Sequence, residues 1–185
     1  MHGLNQCVVL CMISIGITAC SSYTYQDNLT SLPSPEYANA HPANYAGRVP
    51  STISTGEKTI VVNPQVHVWA AYGSNGSLVR AGLATAGSGW CPDIQRECRT
   101  EVGSFRIQSL GSAGCKSKSF PVPRGGAPMP YCMYFNGGQA LHGVPRGEVV
   151  EGNISHGCVR MSVGDAEWLR FNFANVGTKV VIQPY

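Results

Sequence analysis

The chain has 185 residues, a length that suits one domain with short additional segments. A hydrophobic content of 43% is enough for a buried core, whereas 12% charged residues with 22 glycines and 12 prolines favour short strands joined by turns. The formal net charge is only +3 and no run of basic residues is present, which argues against a nucleic-acid-binding protein.

The N-terminal segment has the pattern of an export signal. Residues 7–17 form an apolar run that is too short to cross a bilayer, and "ITAC" at 17–20 resembles the lipobox at which bacterial lipoproteins are cleaved and lipidated. The resemblance implies a signal peptide over residues 1–19 and a lipid anchor on Cys20. Because Ser21 follows, we expect an exported protein on the periplasmic side, held as an outer-membrane lipoprotein. The alternative is an ordinary signal peptide with a chance cysteine.

A polar segment separates this signal from the first predicted strand. Residues 20–57 are rich in Ser, Thr, Pro, Asn and Ala and contain few large aliphatic side chains, which predicts a flexible tether. The domain is then predicted to cover residues 58–185.

Residues 58–185 show the alternation and the turn residues of a mainly antiparallel β domain. The runs 65–73 and 78–87 flank the turn "SNGS" and predict a hairpin, and the turn "NGG" predicts a second one. The segment 162–177, capped by Ser162, predicts the single substantial helix. Further strands are predicted at residues 59–63, 104–110, 131–135, 139–143 and 178–185.

The cysteine count singles out one thiol. Of eight cysteines, Cys7 and Cys11 would leave with the signal peptide and Cys20 would carry the lipid, so five remain in a disulfide-forming compartment. The odd number leaves one without a partner, most simply Cys158. Among the three connectivities open to the other four, we favour the two local pairings, which are Cys91 with Cys98 and Cys115 with Cys132.

Two histidines are candidate bases for this thiol. A cysteine attacks carbonyl groups as its thiolate, which a nearby imidazole generates by taking the proton. His156 stands two residues before Cys158, and His142 stands sixteen residues before it. Gly143 and Gly157 allow the backbone to approach a substrate, so their neighbouring N–H groups could face an oxyanion.

The same residues allow other interpretations. Arg160, two residues after the cysteine, could hold a substrate carboxylate or favour the thiolate. Cys158 could instead be a small buried structural thiol. It could also bind zinc together with His142 and His156, although a structural zinc site needs a fourth ligand.

Five ordered blocks of the sequence are similar to one known family. "ALHG" followed by "SHGCVRM" resembles the active-site signature of the L,D-transpeptidase (YkuD-type) catalytic domain. The other blocks are the opening "KTIVVNPQVHVWAAYGSNGSLVRAGLATAG", the pattern T-x-x-G-x-F at Thr100, Gly103 and Phe105, the run "MPYCMYFNGGQALHG" and the closing "GTKVVIQ". The resemblance implies a β-sandwich-like, mostly antiparallel fold that carries a cysteine nucleophile.

The family's roles fall on eight matching positions. The resemblance implies that Cys158 is the nucleophile, that His142 is its base and that the Gly143 carbonyl orients the imidazole. It also implies that the oxyanion hole is shaped by Ser155, His156 and Gly157. The implied substrate-binding residues are Arg160 and Tyr131. This chemistry needs no metal and no organic cofactor.

The implied substrate is a peptidoglycan stem tetrapeptide. The cysteine would attack the carbonyl between diaminopimelate and the terminal D-Ala, release D-Ala, and pass the acyl group to a second stem as a 3→3 cross-link. Alternatives keep the site and change the acceptor to water, to a lysine of a wall-attached protein or to a free D-amino acid. An alternative of another class is a lipid-tethered protein that binds the wall without catalysis. The expected partners are stem peptides and, through the lipid, a membrane.

Overall fold

The computed structural model describes residues 44–145 and 147–185. The predicted signal peptide, Cys20 and most of the predicted tether lie outside the described residues. Within the described ranges, no helix is both long enough and apolar enough to cross a membrane.

The described residues form nine strands in two sheets, with one α-helix after the last strand of the second sheet. The first sheet contains β1 (Thr59–Asn63), β2 (Val68–Tyr72), β3 (Leu78–Leu83), β4 (Gly103–Arg106) and β9 (Lys179–Ile182), in the order β3-β2-β1-β9-β4. The second sheet contains β5 (Ser109–Leu110), β6 (Met133–Asn136), β7 (Gln139–Val144) and β8 (Val159–Ser162), in the order of the sequence. Helix α1 (Val163–Trp168) continues as a π-helical turn (Leu169–Phe173).

Strand pairing confirms the predicted mainly β, sandwich-like fold with one substantial helix. Of the seven strand pairs in the described residues, five are antiparallel, and the β1–β9 and β7–β8 pairs are parallel. The two predicted turns join β2 to β3 and β6 to β7. The parallel β7–β8 pair has the larger consequence for function, because its connection runs past the predicted site.

One hydrophobic core joins both sheets and the helix. Leu141 of β7 packs in this core. Because side chains alternate along a strand, Ala140 and His142 lie on the opposite face of β7. His142 there borders a cleft. The fully buried core includes Ile60, Val62, Trp69, Phe135, Leu141, Val159 and Met161.

The helix begins where predicted but ends early. The Ser162 hydroxyl accepts a hydrogen bond of 3.0 Å from the N–H three residues further on, as an N-cap does. In the π-helical turn the Ala174 N–H donates to the Leu169 carbonyl at 2.7 Å, and Ala174 is already extended. The predicted end at residue 177 is therefore wrong. Val176, which the helical period places on the buried face, is 63% exposed.

The last part of the predicted tether is folded onto the first sheet. The Ile53 N–H pairs with the turn between β2 and β3, and the Tyr72 hydroxyl donates to the Pro50 carbonyl at 2.9 Å. Val49 and Ile53 pack against the outer face of that sheet, where they cover Tyr72. The tether prediction is therefore wrong for residues 44–57, which these hydrogen bonds and apolar contacts hold on the first sheet.

Candidate active site

Strands β7 and β8 place the two predicted catalytic side chains close together. The parallel register sets His142 beside Arg160. Cys158 directly precedes β8 and packs in a small apolar cluster that includes Ala140, two residues before His142 along β7. Cys158 and His142 both border a cleft of about 1090 Å³.

His142 is buried and is held through one ring nitrogen. Its Nδ1 lies 2.9 Å from the Gly143 carbonyl oxygen, which can only accept, so Nδ1 carries the proton and Nε2 keeps a lone pair. Burial lowers the pKa of His142 to about 4 against the opposing effect of this hydrogen bond, and the Arg160 charge adds to the lowering. His142 is therefore a neutral imidazole at pH 7 that can accept a proton at Nε2.

Cys158 is the one free cysteine among the described residues. Its Sγ lies 3.7 Å from the Gly138 carbonyl oxygen, within range of a weak S–H hydrogen bond. Burial raises the pKa of the Cys158 thiol, while the Ala140 N–H and the Arg160 charge favour the thiolate and oppose that shift. The thiol is therefore protonated at neutral pH and depends on a base for activation.

The other four cysteines form the two local pairings. Disulfides close two loops, which we call the short disulfide loop (Cys91–Cys98) and the long disulfide loop (Cys115–Cys132). Residues of both loops border the cleft. The bridges therefore keep these four sulfurs from pairing with Cys158.

Hydrogen bonds hold the segment that leads into Cys158. The Ser155 N–H donates to the Ala86 carbonyl at 3.0 Å, and the Ser155 carbonyl accepts from the Ser88 N–H at 2.8 Å. The Ser155 hydroxyl donates to the Cys158 carbonyl and accepts from the Gly157 N–H at 3.2 Å. The φ of +115° at Gly157 is one that glycine adopts readily, so this loop conformation depends on both residues.

The N–H groups of the two glycines next to the predicted catalytic residues are not available to an oxyanion. The Gly143 N–H donates to the Pro130 carbonyl at 2.8 Å, and the Gly157 N–H is engaged by Ser155, so neither is free. No described residue accepts a hydrogen bond from the N–H of Cys158. The N–H of Cys158, which directly follows Gly157, is therefore the backbone donor left at this position for an oxyanion.

The ring of His156 is bonded to the short disulfide loop and not to Cys158. Its Nε2 lies 2.8 Å from a carboxylate oxygen of Asp93, and its ring packs against Phe120 of the long disulfide loop with the centroids 4.4 Å apart. The hydrogen bond from His156 lowers the pKa of the Asp93 carboxyl. Of the two candidate bases, His156 therefore has Nε2 engaged by Asp93, whereas Nε2 of His142 keeps a free lone pair.

The arrangement does not bring together the residues of the zinc alternative. Among the described residues, the only group of three candidate metal ligands joins Cys91, Asp93 and His156. The Cys91 sulfur is part of a disulfide and is not a thiolate ligand. His142 and Cys158 do not belong to that group.

Arg160 supplies a positive charge to the cleft. Its backbone makes reciprocal hydrogen bonds of 2.9 and 3.0 Å with Thr85, which hold the strand end in place. Its guanidinium borders the cleft, and within the described part of the chain it has no ion-pair partner. A guanidinium in this state can bind a carboxylate through two hydrogen bonds.

The structure corrects the predicted role of Tyr131, whose side chain packs on the helix and not in the cleft. Its hydroxyl donates to Glu167 at 2.7 Å and its ring contacts Phe171 edge-on. A φ of +58° at Tyr131, before β6 begins, turns the side chain to that side. Tyr134 borders the cleft instead, and burial and the charge of Cys158 raise its pKa.

Sequence reasoning missed three residues around the cleft, Asp93, Phe120 and Tyr134. Tyr134 does carry a local signal, because alternation along β6 sets it on the same side as Cys132. Asp93 and Phe120 reach His156 from loops that are 63 and 36 residues away in the sequence, so no local pattern indicates them.

The burial of His142 predicts a specific dependence of stability on pH. Its pKa is about 4 in the folded protein and about 6.5 in the unfolded chain, so the unfolded state binds the extra proton between these values. Stability is therefore lost as the pH falls from about 6.5 to about 4, by roughly 3 kcal/mol from this group. Urea unfolding at pH 7 and pH 4 should show this loss, and His142→Gln should lose about 3 kcal/mol less than the wild type over the same interval. Equal losses in the two proteins would contradict the assignment.

Comparison with known proteins agrees with this geometry. The family model of the L,D-transpeptidase catalytic domain (YkuD) matches residues 57–182. No functionally curated protein gives a significant match.

Several solved structures share the fold. An L,D-transpeptidase from Xylanimonas cellulosilytica is 26% identical over 74% of this chain, with a TM-score of 0.61, and this chain spans 65% of that one. An L,D-transpeptidase from Mycobacterium smegmatis is 21% identical over 69% of this chain and 59% of its own, with a TM-score of 0.57. L,D-transpeptidase 3 from Mycobacterium tuberculosis, in complex with a faropenem-derived adduct, is 22% identical over 69% of this chain and 60% of its own, with a TM-score of 0.55. From the match of the family model over most of its length, the chain belongs to the YkuD family of L,D-transpeptidase catalytic domains.

Proposed function

We propose that this chain is a cysteine-dependent L,D-transpeptidase that acts on peptidoglycan stem tetrapeptides. One observation carries the proposal: the free thiol of Cys158, just before β8, and the neutral imidazole of His142, within the adjacent parallel strand β7, border the same cleft. Membership of the family supports peptidoglycan as the substrate.

In the acylation step, Nε2 of His142 takes the thiol proton as the Cys158 sulfur attacks the carbonyl carbon between diaminopimelate and D-Ala. A C–S bond forms, and the carbonyl π electrons move to oxygen, which accepts a hydrogen bond from the Cys158 N–H. The C–N bond then breaks, and His142 returns the proton to the leaving amino group. D-Ala departs and a thioester remains on Cys158.

Proton transfer accompanies the attack because both catalytic groups are neutral at rest. Burial raises the pKa of Cys158 and lowers the pKa of His142, so a preformed thiolate–imidazolium pair is disfavoured. His142 therefore acts as a general base during the attack. This keeps a reactive thiolate from forming before the substrate is bound.

A second stem peptide completes the reaction. Its amine attacks the thioester carbonyl and gives a proton to His142, and the C–S bond breaks. The sulfur takes the proton back, so the enzyme is regenerated and a 3→3 amide link joins the two stems.

The guanidinium of Arg160, which forms no ion pair with any described residue, supports recognition of an acidic peptide. The strand register sets Arg160 beside His142, so a carboxylate held by Arg160 lies near the reacting carbonyl. In the tetrapeptide the acidic group nearest to the scissile bond is the carboxylate of the terminal D-Ala. We assign that carboxylate to Arg160.

Incubation with purified disaccharide-tetrapeptide and mass analysis of the products tests the proposal. A cross-linked dimer that lacks one D-Ala is the expected product. Tripeptide alone would indicate hydrolysis, and incorporation of an added D-amino acid would indicate exchange. A wall-binding protein without catalysis would leave the tetrapeptide unchanged and would show no mass shift on Cys158 with a carbapenem.

We also propose that a lipid on Cys20 holds the exported domain at the outer membrane. The support is the "ITAC" pattern with Ser21 after the cysteine. Metabolic labelling with a clickable fatty acid should tag the wild-type protein and should fail with Cys20→Ala. An unlabelled wild-type protein that fractionates without the membrane would contradict this anchor.

A further inference from the structure

Both disulfide loops converge on one side chain that the proposed reaction does not use. Asp93 of the short disulfide loop contacts His156 Nε2 through both carboxylate oxygens, at 2.8 and 2.9 Å. Phe120 of the long disulfide loop packs against the same ring. His156 is therefore held from two sides by elements that are far apart in the sequence.

His156 is close to the nucleophile along the chain. Gly157 alone separates it from Cys158, and the φ of +115° at Gly157 makes this a sharp bend. Ser155 anchors the loop on the other side of His156, through its backbone hydrogen bonds. The ring of His156 is thus the last side chain that anchors this backbone before the reacting sulfur of Cys158.

The short disulfide loop is built to present Asp93. Its bridge joins two cysteines that are seven positions apart in the sequence. Within the loop, the Cys91 N–H donates a backbone hydrogen bond of 2.9 Å to the Arg96 carbonyl. The Cys98 sulfur lies 3.5 Å from the Ser155 carbonyl oxygen, so the loop sits directly on the segment that leads to the nucleophile.

The disulfide explains why this half-exposed contact between Asp93 and His156 can position the backbone. An ion pair between exposed side chains usually contributes little, because ordering both partners offsets the attraction. Here the bridge orders the loop that carries Asp93, and Phe120 already confines the imidazole ring. Little further ordering is needed when the carboxylate meets the ring.

We infer that Asp93 is a positioning residue for the reaction. It acts through His156 and holds the backbone from Ser155 to Cys158, so that the sulfur and the N–H of Cys158 keep their places in the cleft. The inference rests on the proposed function. It assigns no proton transfer to Asp93 or to His156. Its consequence is that the short disulfide loop contributes to the rate of acylation and not only to stability.

Variants of Asp93 separate this role from a general effect on charge or folding. Asp93→Asn should lower kcat with disaccharide-tetrapeptide by about 10- to 100-fold and leave KM nearly unchanged, because the nucleophile is misplaced while the binding groups remain. Asp93→Glu should recover much of the loss. Glu101→Gln is the control, because it removes a carboxylate three residues after the same loop that does not border the cleft and has no hydrogen bond or ion pair with a described residue, and it should keep the wild-type rate.

A double-mutant cycle decides whether Asp93 acts through His156. In the background of His156→Asn, the further change Asp93→Asn should have almost no effect on kcat. Additive losses would overturn the inference, as would an Asp93→Asn protein with the wild-type kcat. The inference would also be overturned if the loss of kcat in Asp93→Asn came with a lowered melting temperature and if Asp93→Glu did not restore kcat. If the wild-type protein itself formed no acyl-enzyme, the proposed function would fall and this inference with it.

Discussion

A Cys158→Ala variant is expected to release no measurable D-Ala from a stem tetrapeptide. Without the sulfur no thioester forms, and removal of a nucleophile of this kind lowers turnover by roughly 10⁴-fold or more. Cys158 is the one free cysteine of the described residues, so no neighbouring thiol replaces it. Release of D-Ala, followed by mass analysis, measures the loss.

The same variant should remain folded. Its side chain is only half-buried at the cleft, so loss of the sulfur atom is expected to cost about 1 kcal/mol or less. A melting temperature close to that of the wild type, with tight binding of the tetrapeptide retained, would show that only chemistry is lost. D-Ala release by a folded Cys158→Ala protein would contradict the assignment of the nucleophile.

A His142→Gln variant is expected to acylate Cys158 about 10²- to 10⁴-fold more slowly, which is the usual range for loss of a general base. Glutamine is close to histidine in volume and stays neutral, so the loss reports on proton transfer more than on packing. The rate of acylation by a carbapenem, followed by intact mass, measures it.

The pH profile of the wild type provides a second test of the base. Because burial lowers the pKa of His142 to about 4, the imidazole remains able to accept a proton down to that pH. The acidic limb of the acylation rate should therefore lie near pH 4, well below the ordinary value for histidine of about 6.5. An acidic limb near pH 6.5 that disappears in a His156 variant would exchange the roles of the two histidines.

Local patterns in the sequence were sufficient for most strands and for the start of the helix. Alternation with period two and the turns "SNGS" and "NGG" depend only on neighbouring residues, and they correspond to the observed hairpins. The N-cap of Ser162 is equally local. The cysteine count also needed no structure, because an odd number of exported cysteines leaves one thiol over.

Features that depend on contacts between distant segments were not predictable in this way. The helix ends in a π-helical turn at Phe173, although Ala174 after it still packs in the core, and no residue of the sequence marks that end. The positive φ at Tyr131, which turns its ring to the helix and away from the cleft, has no signal in the sequence. The Asp93–His156 pair joins two loops and becomes visible only when both are folded.

The most direct test of the central claim is the mass of the Cys158 peptide after reaction with disaccharide-tetrapeptide. The protein would be quenched with acid during turnover, digested and analysed by mass spectrometry, with Cys158→Ala treated in parallel. The account predicts a peptide that contains Cys158 and carries the disaccharide-tripeptide acyl group, with free D-Ala in solution and no adduct in the variant. Turnover of the tetrapeptide with an unmodified Cys158 peptide, or with the adduct on another residue, would contradict it.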